Sequence, residues 1–340
     1  MGILYLIGSF ISYGTVTDGF LRGFLMLSAW FLTRLLLTSA LWRRRTELGL
    51  TLSAVIWSVV GIMEYVTGKA PLRWVDVSRF GDIGGRVCGS FGNPNLFAIF
   101  LLFTVPLCLG FVFQKSGRFV KHGALIAFLL GSGCLLLTWS RGAWLAWIGL
   151  TVVFLVLCSR RSLSILFVGV FSAIGVIPFL PQPVIRRFYS IGHPADTSAS
   201  YRIYTWKGVL RMLSAHPWGI GSGERAFHLL FPVYAVSGTE SVMHPHQMFL
   251  EVWCDLGIIG LILFLWLLWR LIGGTLRFCR RIPEGTVRAE GVSLFCVLMG
   301  GILMGCFDSL WYHHGLLWLF WGLCAMLENT NRERLVWENM

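Results

Sequence analysis

Residues 243–270 read MHPHQMFLEVWCDLGIIGLILFLWLLWR. From Met248 onward the run is apolar enough, and at about 20 residues long enough, to cross the hydrocarbon of a bilayer as one helix. Directly before it stand His244 and His246, separated by Pro245. Imidazoles are poor lipid-facing groups. Either the pair caps a helix at the water boundary, or it carries chemistry there.

The rest of the chain repeats the apolar run and not the histidines. Of 340 residues, 56% are hydrophobic and only 13% charged. Further apolar runs lie at 2–13, 23–41, 50–68, 95–114, 122–139, 142–158, 162–181, 290–306 and 313–327. With 248–270, and with the first run short, nine or ten transmembrane helices are expected. The expected fold is all-α, a polytopic membrane protein forming a single integral membrane domain over 1–340. No small-residue cleavage site follows the first run, so it reads as a retained span. The nine cysteines stand singly, mostly in spans, with no C-x-x-C pair, so they read as small core residues and not as metal ligands. The net charge of +12 is spread over loops between spans. That pattern fits membrane orientation, membrane lipid and an anionic substrate, with no nucleic acid partner.

Orientation follows from the short basic connections. Arg43, Arg44 and Arg45, then Lys115, Arg118 and Lys121, then Arg160 and Arg161, then Arg277, Arg280 and Arg281, and last Arg332 and Arg334 fall on one side if the spans alternate. The positive-inside rule makes that side cytoplasmic. Residues 69–94, the turn at Ser140–Gly142, the long segment 182–247 and the turn Asp308–His314 are then expected outside. The segment 182–247 is the one large hydrophilic piece, an extracytoplasmic loop carrying Arg186, Arg187, Arg202, Lys207, Arg211 and Arg225 against Asp196, Glu224 and Glu240. A basic external loop suits an anionic substrate at the membrane surface.

Four places on that face bear chemistry. Ser140-Arg141-Gly142 interrupts an otherwise apolar stretch, and Gly142 lets a ligand approach an Arg141 guanidinium whose fork matches two phosphate oxygens. The alternative is an arginine snorkelling to headgroups. Residues 202–213, placed on an amphipathic helix, put Ile203, Trp206, Val209, Leu210 and Leu213 on one apolar stripe together with Arg202. Lys207 and Arg211 fall outside it, and Arg211 and Trp206 remain substrate-contact candidates on the basic loop. At the opening stretch, Pro245 suits a first helical turn, which puts His246 and Gly257, eleven residues on, on one helix face. His246 is then a candidate general base and His244 a supporting contact. Finally, Asn93-Pro94-Asn95 opens another span; an ordinary cap is the simpler reading, with Asn95 kept as a contact for sugar hydroxyls.

In this order, GNPNLFA at 92–98, TWSRGAWLA at 138–146, SYRIYTWKGVLRMLSAHPWGIGSG at 200–223 and HPHQMFLEVWCDLGIIGL at 244–261 resemble the O-antigen ligase and polymerase superfamily. The resemblance covers about residues 85–270 and implies a GT-C-like membrane glycosyltransferase. Its donor would be an undecaprenyl diphosphate-linked glycan at the outer face of the bacterial inner membrane. The acceptor would be a lipid A core or another glycan, as a ligase in lipopolysaccharide biosynthesis or as a polymerase. The resemblance also implies neither metal nor cofactor. The family histidine and its following glycine fall on His246 and Gly257, and the diphosphate-contacting arginines on Arg141 and Arg202. Family members commonly carry more helices before the Asn-Pro motif than this chain does.

Two other classes remain. An anion or small-solute transporter predicts ionisable residues midway along several spans, where Arg34, Glu64 and Asp255 come nearest. A non-catalytic assembly protein would use the basic loop as a binding surface, but gives no reason for Arg202 on an apolar stripe.

Overall fold

The computed structural model describes residues 1–8, 16–69, 85–159, 164, 185, 189 and 197–337. Every regular element among them is helical. In chain order these are α1 (Gly2–Gly8), α2 (Val16–Leu36), α3 (Ala40–Thr67), α4 (Pro94–Phe113), α5 (Arg118–Leu137), α6 (Arg141–Cys158), α7 (Thr197–Ala215), α8 (Glu224–Tyr234), α9 (Met248–Arg281), α10 (Thr286–Gly305) and α11 (His314–Trp337), with a 3-10 turn at Gly89–Phe91. Seven of the described helices, α2 to α6, α9 and α10, are long and apolar enough to cross a membrane. The chain is an all-α polytopic membrane protein. Apart from position 164, the expected span 162–181 lies outside the described residues, as do Arg160, Arg161, Arg186, Arg187 and Asp196.

The chain divides into two compact units. One comprises Leu36–His193, Gly274–Gly301 and Met326–Met340. Its centre is α4, where the sequence is apolar on all sides and nearly every residue from Phe97 to Phe111 is buried. Close approach to α4 relies on small residues: a Cβ at Gly131 of α5 would meet the Val105 side chain at 2.6 Å, and Gly110 of α4 itself abuts Ser293 of α10. Helix α3 starts at an N-cap, Ser39, which accepts from the Trp42 N–H, and stops at Gly68 in the left-handed conformation.

Here the sequence expectation needs correction. Arg43, Arg44 and Arg45 are not in a connection but in the first turns of α3. Arg43 is 2% exposed; its Nε donates to Glu290 Oε1 at 3.0 Å and its Nη1 to the Thr38 carbonyl at 2.7 Å. A buried ion pair within the fold uses this arginine, so it carries less weight as an orientation signal.

The other unit comprises Met1–Leu35, Pro194–Gly273 and Ile302–Ala325. Its helices α7 and α8 pack through Val209, Met212 and Leu213 against Ala226, Phe227 and Phe231. The apolar stripe expected on α7 is therefore rotated. Thr205, Gly208, Val209, Met212 and Leu213 are buried, while Ile203 and Leu210 are exposed. Helix α8 decides the face, and it lies beyond the window in which α7's periodicity is read. Lys207 and Arg211 are exposed, as expected, and Arg202 is half-buried at the edge of the packed face.

Helix α9 is broken at Gly257, whose φ of 71° and ψ of −178° are open only to glycine. The bond that Ile258 N–H would make to the Cys254 carbonyl is opened. Ile258 N instead donates to Pro217 O at 3.0 Å, and Cys254 O accepts from Ile220 N at 2.7 Å. The turn after α7 thus satisfies both groups that the break exposes, the condition on which non-helical backbone survives in a span. A Cβ on Gly257 would sit 2.4 Å from Trp218 O, and one on Gly219 2.6 Å from Gly257 N. Gly257 is thus a point of close approach to a loop backbone.

Candidate active site

The helix expected to begin at Pro245 begins at Met248. Gln247 Oε1 accepts from Leu250 N at 2.5 Å and takes the capping task. His246 therefore precedes the helix, with φ of 50°, and shares no helix face with Gly257. Left-handed backbone at a non-glycine residue is uncommon, although histidine tolerates it better than most. Its effect is to turn the imidazole out of the helix line toward the turn between α10 and α11.

There His246 Nδ1 meets Asp308 Oδ1 at 3.2 Å. The His246 side chain is 28% exposed and that of Asp308 only 7%, so the ring is open on one side and anchored on the other. Burial pushes the Asp308 carboxyl up. The hydrogen bond from His246 and the charges of His246, His244 and Arg202 outweigh it and hold the group well below the usual carboxylate range. An ionised carboxylate only accepts, so Nδ1 carries the proton. In the neutral imidazole Nε2 is then bare, the state that a general base needs.

His244 is arranged differently. Its ring lies 3.9 Å from that of His246 and 4.4 Å from that of Tyr312, centroid to centroid. The His246 backbone N–H donates to His244 Nδ1 at 3.3 Å. Burial, then the neighbouring charges of His246, Arg22 and Arg202, hold His244 well below the usual imidazole range, against the opposing pull of Asp308. Neutral, with Nδ1 accepting, it keeps its proton on Nε2 and acts as a donor.

Arg202 belongs to this neighbourhood through its charge, which acts on both Asp308 and His244. Trp206, one position group along the same helix, donates its indole N–H to the Pro245 carbonyl at 3.0 Å. Its polar tip thereby ties α7 to the histidine turn. Arg211 stands on the exposed face of α7. His244, His246 and Asp308 also bring one ligand atom each within 4.8 Å of one another, a set that could hold a metal ion.

A buried cluster on the same helix goes beyond the sequence reading, which singled out Asp255 alone. Arg22 of α2, 3% exposed, reaches Glu251 Oε1 at 3.3 Å and Asp255 Oδ2 at 3.0 Å, both on α9. Tyr5 donates to the same Asp255 oxygen at 2.8 Å. Removing one member of such a buried pair strands a charge, at a cost of about 3–5 kcal/mol. The available signal was Glu251 and Asp255 four apart, one helix face of acids within a span, where ionisable residues are functional by default.

Ser140, Arg141 and Asn95 belong to the other unit. Ser140 is the N-cap residue of α6 and Arg141 its first helical residue. The Ser140 N–H donates to Thr138 Oγ1 at 3.3 Å. Asn93 accepts from Asn95 N at 2.8 Å as the cap of α4. Asn95 Oδ1 accepts from Arg86 Nη2 at 3.1 Å, and Arg86 Nε donates to Thr138 O at 2.8 Å. Arg86 thus holds two helix ends together.

The family model described as O-antigen ligase matches residues 126–265. No curated protein matches the chain. Over those residues the chain is similar to the O-antigen ligase family, and the match supports a membrane enzyme of that superfamily, whose substrates are in general lipid-linked glycans. Ser140, Arg141, Arg202, Trp206, Arg211, His244 and His246 fall inside the match, while Arg22, Asn95 and Asp308 fall outside it.

Proposed function

We propose that this O-antigen ligase-like enzyme moves a glycan from undecaprenyl diphosphate to an acceptor hydroxyl, on a lipid A core or similar glycan, at the periplasmic face of the bacterial inner membrane. The observation that supports the reading is the His246–Asp308 pair, in which a carboxylate accepts from Nδ1 of a partly exposed imidazole and so favours the tautomer with Nε2 unprotonated. His246 takes the proton of the acceptor hydroxyl as its oxygen attacks the anomeric carbon. The bond from that carbon to the diphosphate oxygen breaks, and its electron pair leaves on the diphosphate. The proton on Nε2 then passes to solvent. A diphosphate is a good leaving group, so what remains is to hold its charge, which Arg202 supports here by fixed positive charge. Arg141 is a second cation for the diphosphate, on the strength of the resemblance. No step as written uses a metal, and transfer should survive chelation.

The test is transfer by purified protein given an undecaprenyl diphosphate-linked glycan, with lipid A core and carrier-linked glycan offered as separate acceptors. Product on the first marks a ligase and on the second a polymerase; hydroxyl-directed transfer to neither contradicts the reading. The placement of 182–247 outside is tested by single cysteines at Ser237 and Glu284, both exposed. In intact cells an impermeant maleimide should label the first and not the second; the reverse would overturn the periplasmic placement.

A further inference from the structure

The reaction written above uses His246 and Asp308 but leaves Arg22, Glu251 and Ser309 without a task. Glu251 is 1% exposed and Ser309 2%. Two arms run from Arg22 to the histidines. In the first, Arg22 donates to Glu251, and the Ser309 hydroxyl donates to the other Glu251 oxygen. The Ser309 backbone N–H in turn donates to Asp308 Oδ1 at 2.9 Å, the same oxygen that accepts from His246. In the second, the Arg22 guanidinium lies 4.6 Å over the Tyr312 ring, which packs at a tilt against that of His244.

We propose that Glu251 and Ser309, anchored by Arg22, are positioning residues that aim the His244–His246 pair by fixing the turn 308–312. This deepens the reading of His246 as the base and rests on it. Asp308 and Ser309 follow the end of α10 and precede α11; the Asp308 N–H makes the last bond back to that helix, to the Met304 carbonyl at 2.9 Å, and leaves its side chain to be aimed by the turn. A serine whose backbone holds the carboxylate and whose side chain is held by a buried acid sets both distance and direction. A buried arginine shared by two carboxylates is a poor source of stability compared with apolar packing, and geometric definition is the best-attested reason to keep one.

The experiment uses the whole protein in detergent and needs no identified substrate. Diethylpyrocarbonate attacks unprotonated imidazole nitrogen, and peptide mass spectrometry follows its rate at each histidine. Ser309→Ala should raise the rate at His246 severalfold, Ser309→Thr should restore it, and exposed His122 should not change. Glu251→Gln, which still accepts from Ser309 but no longer faces Arg22 as a charge, should fall between. Adding Ser309→Ala to Asp308→Asn should change the His246 rate no further, because both act along one path. A His246 rate in Ser309→Ala equal to wild type overturns the proposal, as does full additivity with Asp308→Asn. In the transfer assay, Ser309→Ala should lower kcat by about 10- to 100-fold, the size of effect seen when the partners that orient metal-ligating histidines are removed, with the donor KM unchanged. If His246→Ala still transfers glycan, the functional reading fails on its own; the modification rates still decide the positioning.

Discussion

Asn93-Pro94-Asn95 and His244-Pro245-His246 have the same plan, a polar residue on each side of a proline ahead of an apolar helix. The fold treats them in opposite ways. At the first, the proline is the opening residue of α4, Asn93 caps it, and Asn95 is spent on Arg86. Its polar atoms close on one another. At the second, the helix waits until Met248, His246 takes a left-handed backbone, and its ring is handed to a carboxylate 62 positions along the chain. One entrance satisfies itself, whereas the other draws on a partner far along the chain. The contrast teaches that a Pro-flanked polar pair is not informative by itself, and that its distant partner decides.

The comparison breaks first at the distant partner. Asp308→Asn should lower transfer by about 10²- to 10⁴-fold, as loss of the carboxylate behind a catalytic histidine does elsewhere, because the amide no longer dictates which ring nitrogen holds the proton. Initial rates at saturating donor would measure it, and a loss below threefold would mean that Asp308 is only structural. Next in size, Arg202→Lys should cost about tenfold or more in transfer, since lysine keeps the charge but not the fork. Arg211→Lys, on the exposed face of α7, should stay near wild type. Equal losses would separate Arg202 from the histidine neighbourhood.

A smaller effect concerns pH and stability. Within the fold His244 is held neutral, but in the unfolded chain its imidazole gains a proton as pH falls below about 6.5. The unfolded state then binds more protons, so stability must fall as pH falls. The melting temperature of the wild type should drop further between pH 7.5 and 5.5 than that of His244→Gln. Identical slopes would contradict a neutral, buried His244. Smallest of all, Asn93→Ala at the self-satisfied entrance should cost about 1 kcal/mol of stability through the lost cap, with transfer per folded molecule unchanged. A fall in transfer without a fall in stability would give that entrance a chemical role.

Local patterns in the sequence carried much of this. The apolar runs are visible because a span must be long and greasy, and Asn93 marks a helix start because caps are short-range chemistry. His246 stood out because an imidazole before a membrane helix is costly without a use. Its partner did not, since nothing local ties Asp308 to residue 246. Arg22 escaped for the same reason, and because it sits near the boundary of a span. The face of α7 was misjudged because exposed Ile203 and Leu210 look like core residues by periodicity alone; the position of α8 distinguishes them. The break at Gly257 was hidden because an unbroken apolar run gives no sign that a loop backbone will enter the helix ladder.

The most direct test of the account is His246→Ala, assayed in one preparation for glycan transfer and for binding of a labelled undecaprenyl diphosphate glycan. Transfer should be abolished while the donor still binds, because the positive charge that holds the diphosphate is elsewhere. If binding is lost in step with transfer, His246 is a binding group and the base lies elsewhere. If both persist, the two entrances are alike after all, and the histidine pair is only the way this helix begins.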